Sequence, residues 1–308
     1  MMAHSILNSS PTPQTADNPS QAIVRVRRLI WKIAIATVVL MAIGSATRVA
    51  NAGLACPDWP LCYGQLVPTA QMNLQVFLEW FHRLDASLIG LMAIVLVGQS
   101  WWWRRELPNW LPWMSLVTLG LIVFQGILGG LTVTELLRFD IVTAHLGTAL
   151  LFFITVVSMG VALLPYRGTG TAKSLRWVSL TGAILVYLQS LIGALVASQW
   201  VLHQCLSYKN LCAVMNSHII GVVPPTVTVL ALVVWALRTP ALSQPLRILA
   251  KLSGGLVFLQ IGLGVATFYL RLQVEPLTVS HQAIGALLLG SLVAFTVLAF
   301  RDARVVKI

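Results

Sequence analysis

Four histidines stand at the beginnings of long apolar stretches of the chain, and their imidazoles could bind metal. They are His82, His145, His218 and His281, and together they open every second apolar stretch. If these stretches cross a membrane, the four helices enter from the same side and hold the imidazoles at one depth. Ionisable side chains inside a membrane are costly and usually functional. Two facing helices in each half of the chain would offer two axial ligands to one haem iron, which predicts two haem sites.

Zinc is the alternative metal for these histidines. Zinc prefers a compact tetrahedral set of ligands with carboxylates behind its histidines, whereas these histidines fall into two pairs in different halves of the chain. A single histidine at the end of a span is most often a hydrated interfacial residue. The metal interpretation therefore depends on the repetition, and His203, which lies in a loop beside Cys205, is left unassigned.

A carboxylate and a guanidinium accompany the first of these histidines in the segment EWFHR, residues 79–83. Residues three apart on a helix share a face, so the Glu79 carboxylate would lie over the site of His82. We predict that Glu79 is a base that accepts protons; the alternative is a carboxylate that stabilises the helix N-terminus. Arg83 and Arg48 are candidates for ion pairs with haem propionates, or else for cations that reach to the membrane surface.

All four cysteines of the chain lie in two loops on the histidine side. Cys56 and Cys62 form CPDWPLC, and Cys205 and Cys212 form CLSYKNLC. Each pair can close a short loop, and disulfides persist on the non-cytoplasmic side of a membrane. A structural disulfide is favoured for the second pair. For the first pair, a structural disulfide and a redox-active dithiol both remain open.

The elements that must position these residues are membrane-spanning helices. Of the 308 residues, 57% are hydrophobic and only 9% are charged, more apolar surface than a soluble domain can bury. A span needs about 20 apolar residues. Continuous rather than alternating apolar runs favour helices over strands. Eight spans are predicted, near residues 29–49, 84–103, 112–133, 143–164, 177–198, 218–237, 249–270 and 281–300.

The positive charge of the chain is distributed by loop and indicates topology. The formal net charge is +11, but fifteen of the twenty Lys and Arg residues fall on one side of the predicted spans. The other side holds Arg48, Arg83, Arg138, Lys209 and Arg271. The bias of cytoplasmic loops towards Lys and Arg places both termini in the cytoplasm and excludes a nucleic-acid partner as the reason for the charge.

The chain divides into a tail and two similar halves. Residues 1–24 are polar and predict a disordered tail, followed by halves over residues 25–166 and 167–308. QGILGGLTV (125–133) before His145 resembles QIGLGVAT (260–267) before His281, which indicates a tandem four-helix repeat with its pseudo-twofold axis along the membrane normal. A cleaved signal peptide ending near residues 50–52 is the alternative for the first span.

These motifs together resemble the haem A synthase family. The similarity covers almost the whole membrane part and is carried by GSATRVANAGLACPDWPLC (44–62), EWFHR (79–83), QGILGGLTV (125–133), TAHLG (143–147), NSHIIG (216–221) and SHQAIG (280–285). The cysteine pairs in both halves resemble those of a bacterial subtype, which implies a bacterial cell membrane protein with a disulfide in each half.

The resemblance implies an enzyme that oxidises the C8 methyl group of haem O to a formyl group. It implies that His218 and His281 hold a haem b cofactor and that His82 and His145 hold the substrate haem. A haem O synthase is the partner expected from the pathway, and homo-oligomerisation stays open. If both histidines bind the substrate iron, either one of them moves away for oxygen, or electrons leave through the second haem and water supplies the oxygen.

Two other functions fit parts of the sequence. A di-haem electron carrier of the cytochrome b type would use the same four histidines but would not need Glu79. A transporter built from a parallel repeat would place polar groups near the middle of its spans. The spans carry few such groups away from the histidine side, which disfavours the transporter.

Overall fold

The computed structural model describes residues 20–197, 213–270 and 274–304. The helices of this part of the chain are α1 Gln21–Val49, α2 Leu74–Trp102, α3 Trp110–Thr134, α4 Phe139–Ala162, α5 Leu175–Ala197, α6 Ala213–Gly221, α7 Val223–Arg238, α8 Gln244–Tyr269 and α9 Glu275–Asp302, with a 3-10 turn at Thr69–Gln71. With α6 and α7 taken as one span, eight helical segments are long and apolar enough to cross a membrane. The prediction of an all-helical polytopic membrane protein is confirmed.

The helices begin earlier than the apolar stretches do. α1 begins at Gln21, inside the predicted tail, where the Ser20 hydroxyl accepts from the backbone N–H of Ile23. α2 begins at Leu74, where the Asn73 side chain accepts from the N–H of Val76 at 2.9 Å. Each capped first turn lies before the predicted apolar stretch, so the helix extends beyond that stretch at its N-terminal end. Each of the four histidines therefore lies inside its helix, five to eight residues past the first residue, and does not open it.

The sixth span is broken where two prolines follow each other. α6 ends at Gly221 and α7 begins at Val223, with Pro224 and Pro225 in its first turn. Proline lacks an N–H group and its ring obstructs the preceding turn, so a continuous helix cannot pass through this pair. The break separates the histidine-bearing part of the span from the rest.

The helices pack in the same order in each half of the chain. α1, α2, α3 and α4 contact one another in a ring, and α5, α6 with α7, α8 and α9 form a second ring. The two rings meet through α1 and α4 on one side and α5 and α9 on the other, and α9 is the most buried span. Gly290 of α9 permits the contact, because a Cβ atom there would lie 2.9 Å from the ring of Phe153.

The segment that joins the two halves is tied to the end of α9. The Asp302 carboxylate accepts from the backbone N–H groups of Thr169 and Ala172, at 2.6 and 2.8 Å, and from the hydroxyl of Tyr166 at 3.0 Å. Burial raises the pKa of Tyr166 to about 12, so the phenol stays protonated and donates to Asp302. Arg301 donates to the carbonyl of Val161 at 2.9 Å, in the last turn of α4.

Candidate haem-binding site

Each of the four histidines packs against a glycine of the preceding span. A Cβ atom added to the glycine would lie between 2.8 and 3.3 Å from the ring carbon Cε1 of the histidine, closer than the ring permits. The four contacts are Gly44 with His82, Gly129 with His145, Gly193 with His218, and Gly264 with His281. The glycines thus fix how close each imidazole stands to its neighbouring helix, and they place all four rings at the same end of the bundle.

The histidine pair of the second half has the separation that one iron atom requires. The ring centres of His218 and His281 lie 6.4 Å apart and the ring planes are at 83° to each other. Two metal–imidazole bonds of about 2 Å, with about 1.1 Å from each bonded nitrogen to its ring centre, separate the ring centres by about 6.2 Å. Axial imidazoles can rotate about the metal–nitrogen bond, so the angle is compatible. The distance between the ring centres is compatible with both imidazoles binding one iron atom between α6 and α9.

The pair of the first half belongs to α2 and α4. The Nδ1 atoms of His82 and His145 are buried and make no hydrogen bond within the described residues. No group of three or more His, Cys, Asp or Glu side chains in the described ranges is arranged to hold a metal ion. Two pairs, each supplying two ligands to a porphyrin-held iron, need no such group.

Three glutamines of the neighbouring helices hold the histidines, and the sequence analysis did not identify them. Gln125 donates to the backbone carbonyl of His145 at 2.9 Å, and Gln189 donates to that of His218 at 2.7 Å. The Gln189 amide nitrogen also lies 3.0 Å from Nδ1 of His218, and that of Gln260 lies 3.3 Å from Nε2 of His281. The signal for two of them in the sequence was that Gln125 and Gln260 stand at matching places in QGILGGLTV (125–133) and QIGLGVAT (260–267).

The EWFHR segment fastens the first cysteine loop onto α2. Glu79 is buried, forms an ion pair with Arg83, and accepts from the backbone N–H of Cys56 at 2.8 Å. The Arg83 guanidinium also donates to the carbonyls of Asp58 and Leu61, at 2.6 and 2.5 Å, and to that of Cys56 at 3.3 Å. These contacts hold the loop over the end of α2 that carries His82. The predicted roles of Glu79 as a base and of Arg83 as a propionate ligand stay predictions.

Three further features hold the conformation of the loop: a disulfide, hydrogen bonds to Asp58 and the packing of Trp59. Cys56 and Cys62 form a disulfide, with their Cα atoms 4.8 Å apart, so this predicted pair is confirmed. The backbone N–H groups of Gly64 and Tyr63 donate to the Asp58 carboxylate, which holds its pKa below the usual range. The indole of Trp59 packs on Gly130 of α3, where a Cβ atom would lie 3.1 Å from the ring.

Other predicted residues have different outcomes. Arg48, near the end of α1, makes no side-chain hydrogen bond or ion pair in the described part of the chain, so a propionate contact stays a prediction. Cys205, Cys212 and His203 lie outside the described residues. Glycines also follow three of the histidines within the same helix: Gly147 packs on Leu191 and Tyr187, Gly221 on Gln189, and Gly285 on Gln260.

The fold and the four histidines define a helical membrane protein in which two four-helix rings each carry a pair of histidines at the same end. Comparison with known proteins gives the family. The model of the cytochrome oxidase assembly protein (COX15-CtaA) family matches residues 27–293, and the chain belongs to this family.

Three relatives, each matched over most of its own length, have names that contain the words "Heme A synthase". The protein named "Heme A synthase" of Shewanella oneidensis is 27% identical, over 86% of this chain and 95% of its own length. The "Heme A synthase" of Caulobacter vibrioides is 28% identical, over 86% and 94%. The "Heme A synthase COX15" of Bos taurus is 26% identical, over 91% of this chain and 83% of its own length.

Proposed function

We propose that this protein is a membrane oxidoreductase that converts haem O to haem A by oxidising the C8 methyl group to a formyl group through hydroxylated intermediates. The observation that carries the proposal is the family match over residues 27–293, which contains all four ligand histidines and Glu79. The relatives named "Heme A synthase" match along most of their length, so the similarity is not confined to a general haem-binding segment.

The two histidine pairs have different roles in this proposal. His218 and His281 hold a resident haem b, and their 6.4 Å ring separation supports this assignment. A haem b held there supplies one-electron oxidation and reduction. His82 and His145 hold the substrate haem, because only their half carries the buried Glu79 beside the disulfide loop.

Glu79 is the residue that we propose takes protons during oxidation of the methyl group. Converting a methyl group to an aldehyde removes four electrons together with protons, and a hydrated aldehyde must finally lose water. A buried carboxylate close to the substrate can accept such protons. Its ion pair with Arg83 fixes its position, and the loop above it excludes bulk water from that side. Arg83 and Arg48 are the cations proposed to face the propionates.

The proposal also covers location and partners. The protein crosses a bacterial cell membrane eight times, with both termini in the cytoplasm, as the Lys and Arg distribution indicates. The two halves are tandem repeats whose pseudo-twofold axis runs along the membrane normal; the shared packing order and the four glycine–histidine contacts support this. Haem O is insoluble in water and reaches the site through the bilayer. A haem O synthase in the same membrane is the proposed supplier.

Pigment extraction tests the function directly. The full chain is produced in a host that makes haem O but lacks its own haem A synthase, and the extracted haems are separated by chromatography. Haem A, together with its hydroxylated precursor, is the expected result. A His145→Ala variant that keeps the haem b of the second half serves as the control and should yield haem b and haem O but no haem A. Two permanently bound haem b groups and no haem A in the native protein would overturn the proposal in favour of an electron carrier.

A further inference from the structure

Asp85 is an acidic side chain inside a membrane span with no partner in the described structure. It lies in α2, three residues after His82, and its Oδ2 atom is buried without a hydrogen bond. The buried carboxylates of Glu79 and Asp302 are satisfied, the first by Arg83 and Cys56 and the second by N–H groups of the linker. A carboxylate in an apolar span is costly and is usually kept for a function.

The helix geometry directs Asp85 towards His82. Helical side chains lean towards the N-terminus, so a residue at position i+3 covers the turn that carries residue i. Nδ1 of His82 is itself buried and without a hydrogen bond among the described residues. A ring N–H and a carboxylate oxygen that both lack partners, one turn apart on one helix, are complementary. The Leu40 carbonyl is the other acceptor that faces the His82 ring.

The second half shows what occupies the corresponding space there. Gly221 stands three residues after His218, and a Cβ atom on it would lie 2.6 Å from Oε1 of Gln189. The same amide brings its nitrogen to 3.0 Å from Nδ1 of His218. The space beside the histidine is therefore filled by a polar group that contacts Nδ1.

In the first half, both the glutamine and the glycine of this arrangement are replaced by other residues. Gln189 stands four residues before Gly193, the glycine that contacts His218, and the residue four before Gly44 is the buried, apolar Leu40. The residue three after His82 is Asp85, where the second half has glycine. The residue that can bring a polar side chain to Nδ1 in the first half therefore lies on the histidine's own helix, and it is an acid in place of a neutral amide.

We propose that Asp85 is a positioning residue of the first haem site, which accepts a hydrogen bond from the Nδ1–H of His82 when the haem is bound. In the described structure neither atom has a hydrogen-bond partner, so the two side chains must turn towards each other to form it. The bond fixes the tautomer in which Nε2 is free to bind iron and strengthens that nitrogen as a donor. The inference deepens the proposed function and rests on it only for the identity of the porphyrin as substrate. It makes the two sites electrically different, with an anionic partner behind the ligand in the substrate half and a neutral one in the haem b half.

The test is a titration of the purified full-length protein with ferric haem b as the probe. The site of the second half already holds its haem b before the titration begins. Binding is followed by the Soret band and by the electron paramagnetic resonance signal that a His82→Ala variant lacks. Asp85→Ala should weaken binding at the first site by about 10- to 100-fold, the usual effect of removing a ligand's hydrogen-bond partner. Ser87→Ala, at an exposed position of the same helix, should bind as the native protein does.

A second variant keeps the shape of the side chain and removes its charge. Asp85→Asn should raise the midpoint potential of the first-site haem, because losing a nearby negative charge favours the ferrous iron. Native affinity in Asp85→Ala, or an unchanged potential in Asp85→Asn, would overturn the proposal. If Asp85→Ala also loses the second haem, the potential of Asp85→Asn decides. A native protein that binds the probe as described but makes no haem A would refute the proposed function and leave this inference standing.

Discussion

Replacing Gly264 by alanine should remove haem from the second site by displacing one ligand. The new Cβ atom would lie 2.9 Å from Cε1, 3.5 Å from Nδ1 and 3.7 Å from Nε2 of His281. Carbon atoms in contact prefer about 3.5–4.0 Å, so the ring must move by about 0.6–1.1 Å. The observed ring separation of 6.4 Å leaves no room for such a shift, because it already matches two iron–imidazole bonds.

The size of the effect follows from the cost of overpacking. A methyl group forced into a packed site typically costs about 1–3 kcal/mol, which corresponds to roughly a 5- to 150-fold loss of haem affinity if the strain falls on the ligand. Haem content per protein, measured on the purified protein by the pyridine haemochrome method, reports the loss. Gly262→Ala is the matched control, since a Cβ atom at position 262 of the same helix meets nothing within 4 Å. Full haem content and native affinity in Gly264→Ala would refute the reasoning.

Three further outcomes are expected. Glu79→Gln should leave haem bound while haem A formation falls at least tenfold, because the base is lost. Asp58→Asn is the control, since it weakens the same loop without touching the site and should retain activity. Equal losses of haem A formation in the two variants would mean that Glu79 acts by holding the loop. Gly130→Ala should displace Trp59 and lower substrate-haem binding severalfold with haem b content unchanged, as measured by titration against Gly126→Ala, a position with open space. Gln189→Leu should reduce haem b retention about tenfold or more, because His218 loses a hydrogen-bond partner; retention under dilution measures it, and native retention would contradict the role.

The spans were predictable from the sequence because the bilayer demands helices of a certain length. Backbone groups in hydrocarbon must be satisfied within the segment, so long apolar runs report spans almost independently of the rest of the fold. The helix starts were not predictable in this way. Leu74 to Arg83 form the first two and a half turns of α2 and contain a glutamate, a histidine and an arginine. A search for apolar runs leaves such residues outside the span, although the helix includes them.

The ligand histidines were identifiable because ionisable residues repeated at matching places in apolar spans are rare. The glycines that contact them could be seen only as small residues in motifs. Gly129 and Gly130 are neighbours in one motif, yet the first packs on His145 and the second on Trp59. Successive residues on a helix point about 100° apart, and only the packing of the helices decides what each direction meets.

The sequence by itself determined the membrane class, the eight spans, the four histidines and the short loop that Cys56 can close with Cys62, since each depends on composition or on residues close in the chain. The tertiary structure decided which polar groups meet. It joined Glu79 and Arg83 to the cysteine loop, set the ring centres of His218 and His281 6.4 Å apart, and left the buried Oδ2 atom of Asp85 without a hydrogen bond in the described part of the chain. These are contacts between separate segments, or choices among directions on a helix, and their distances are set by how whole helices pack.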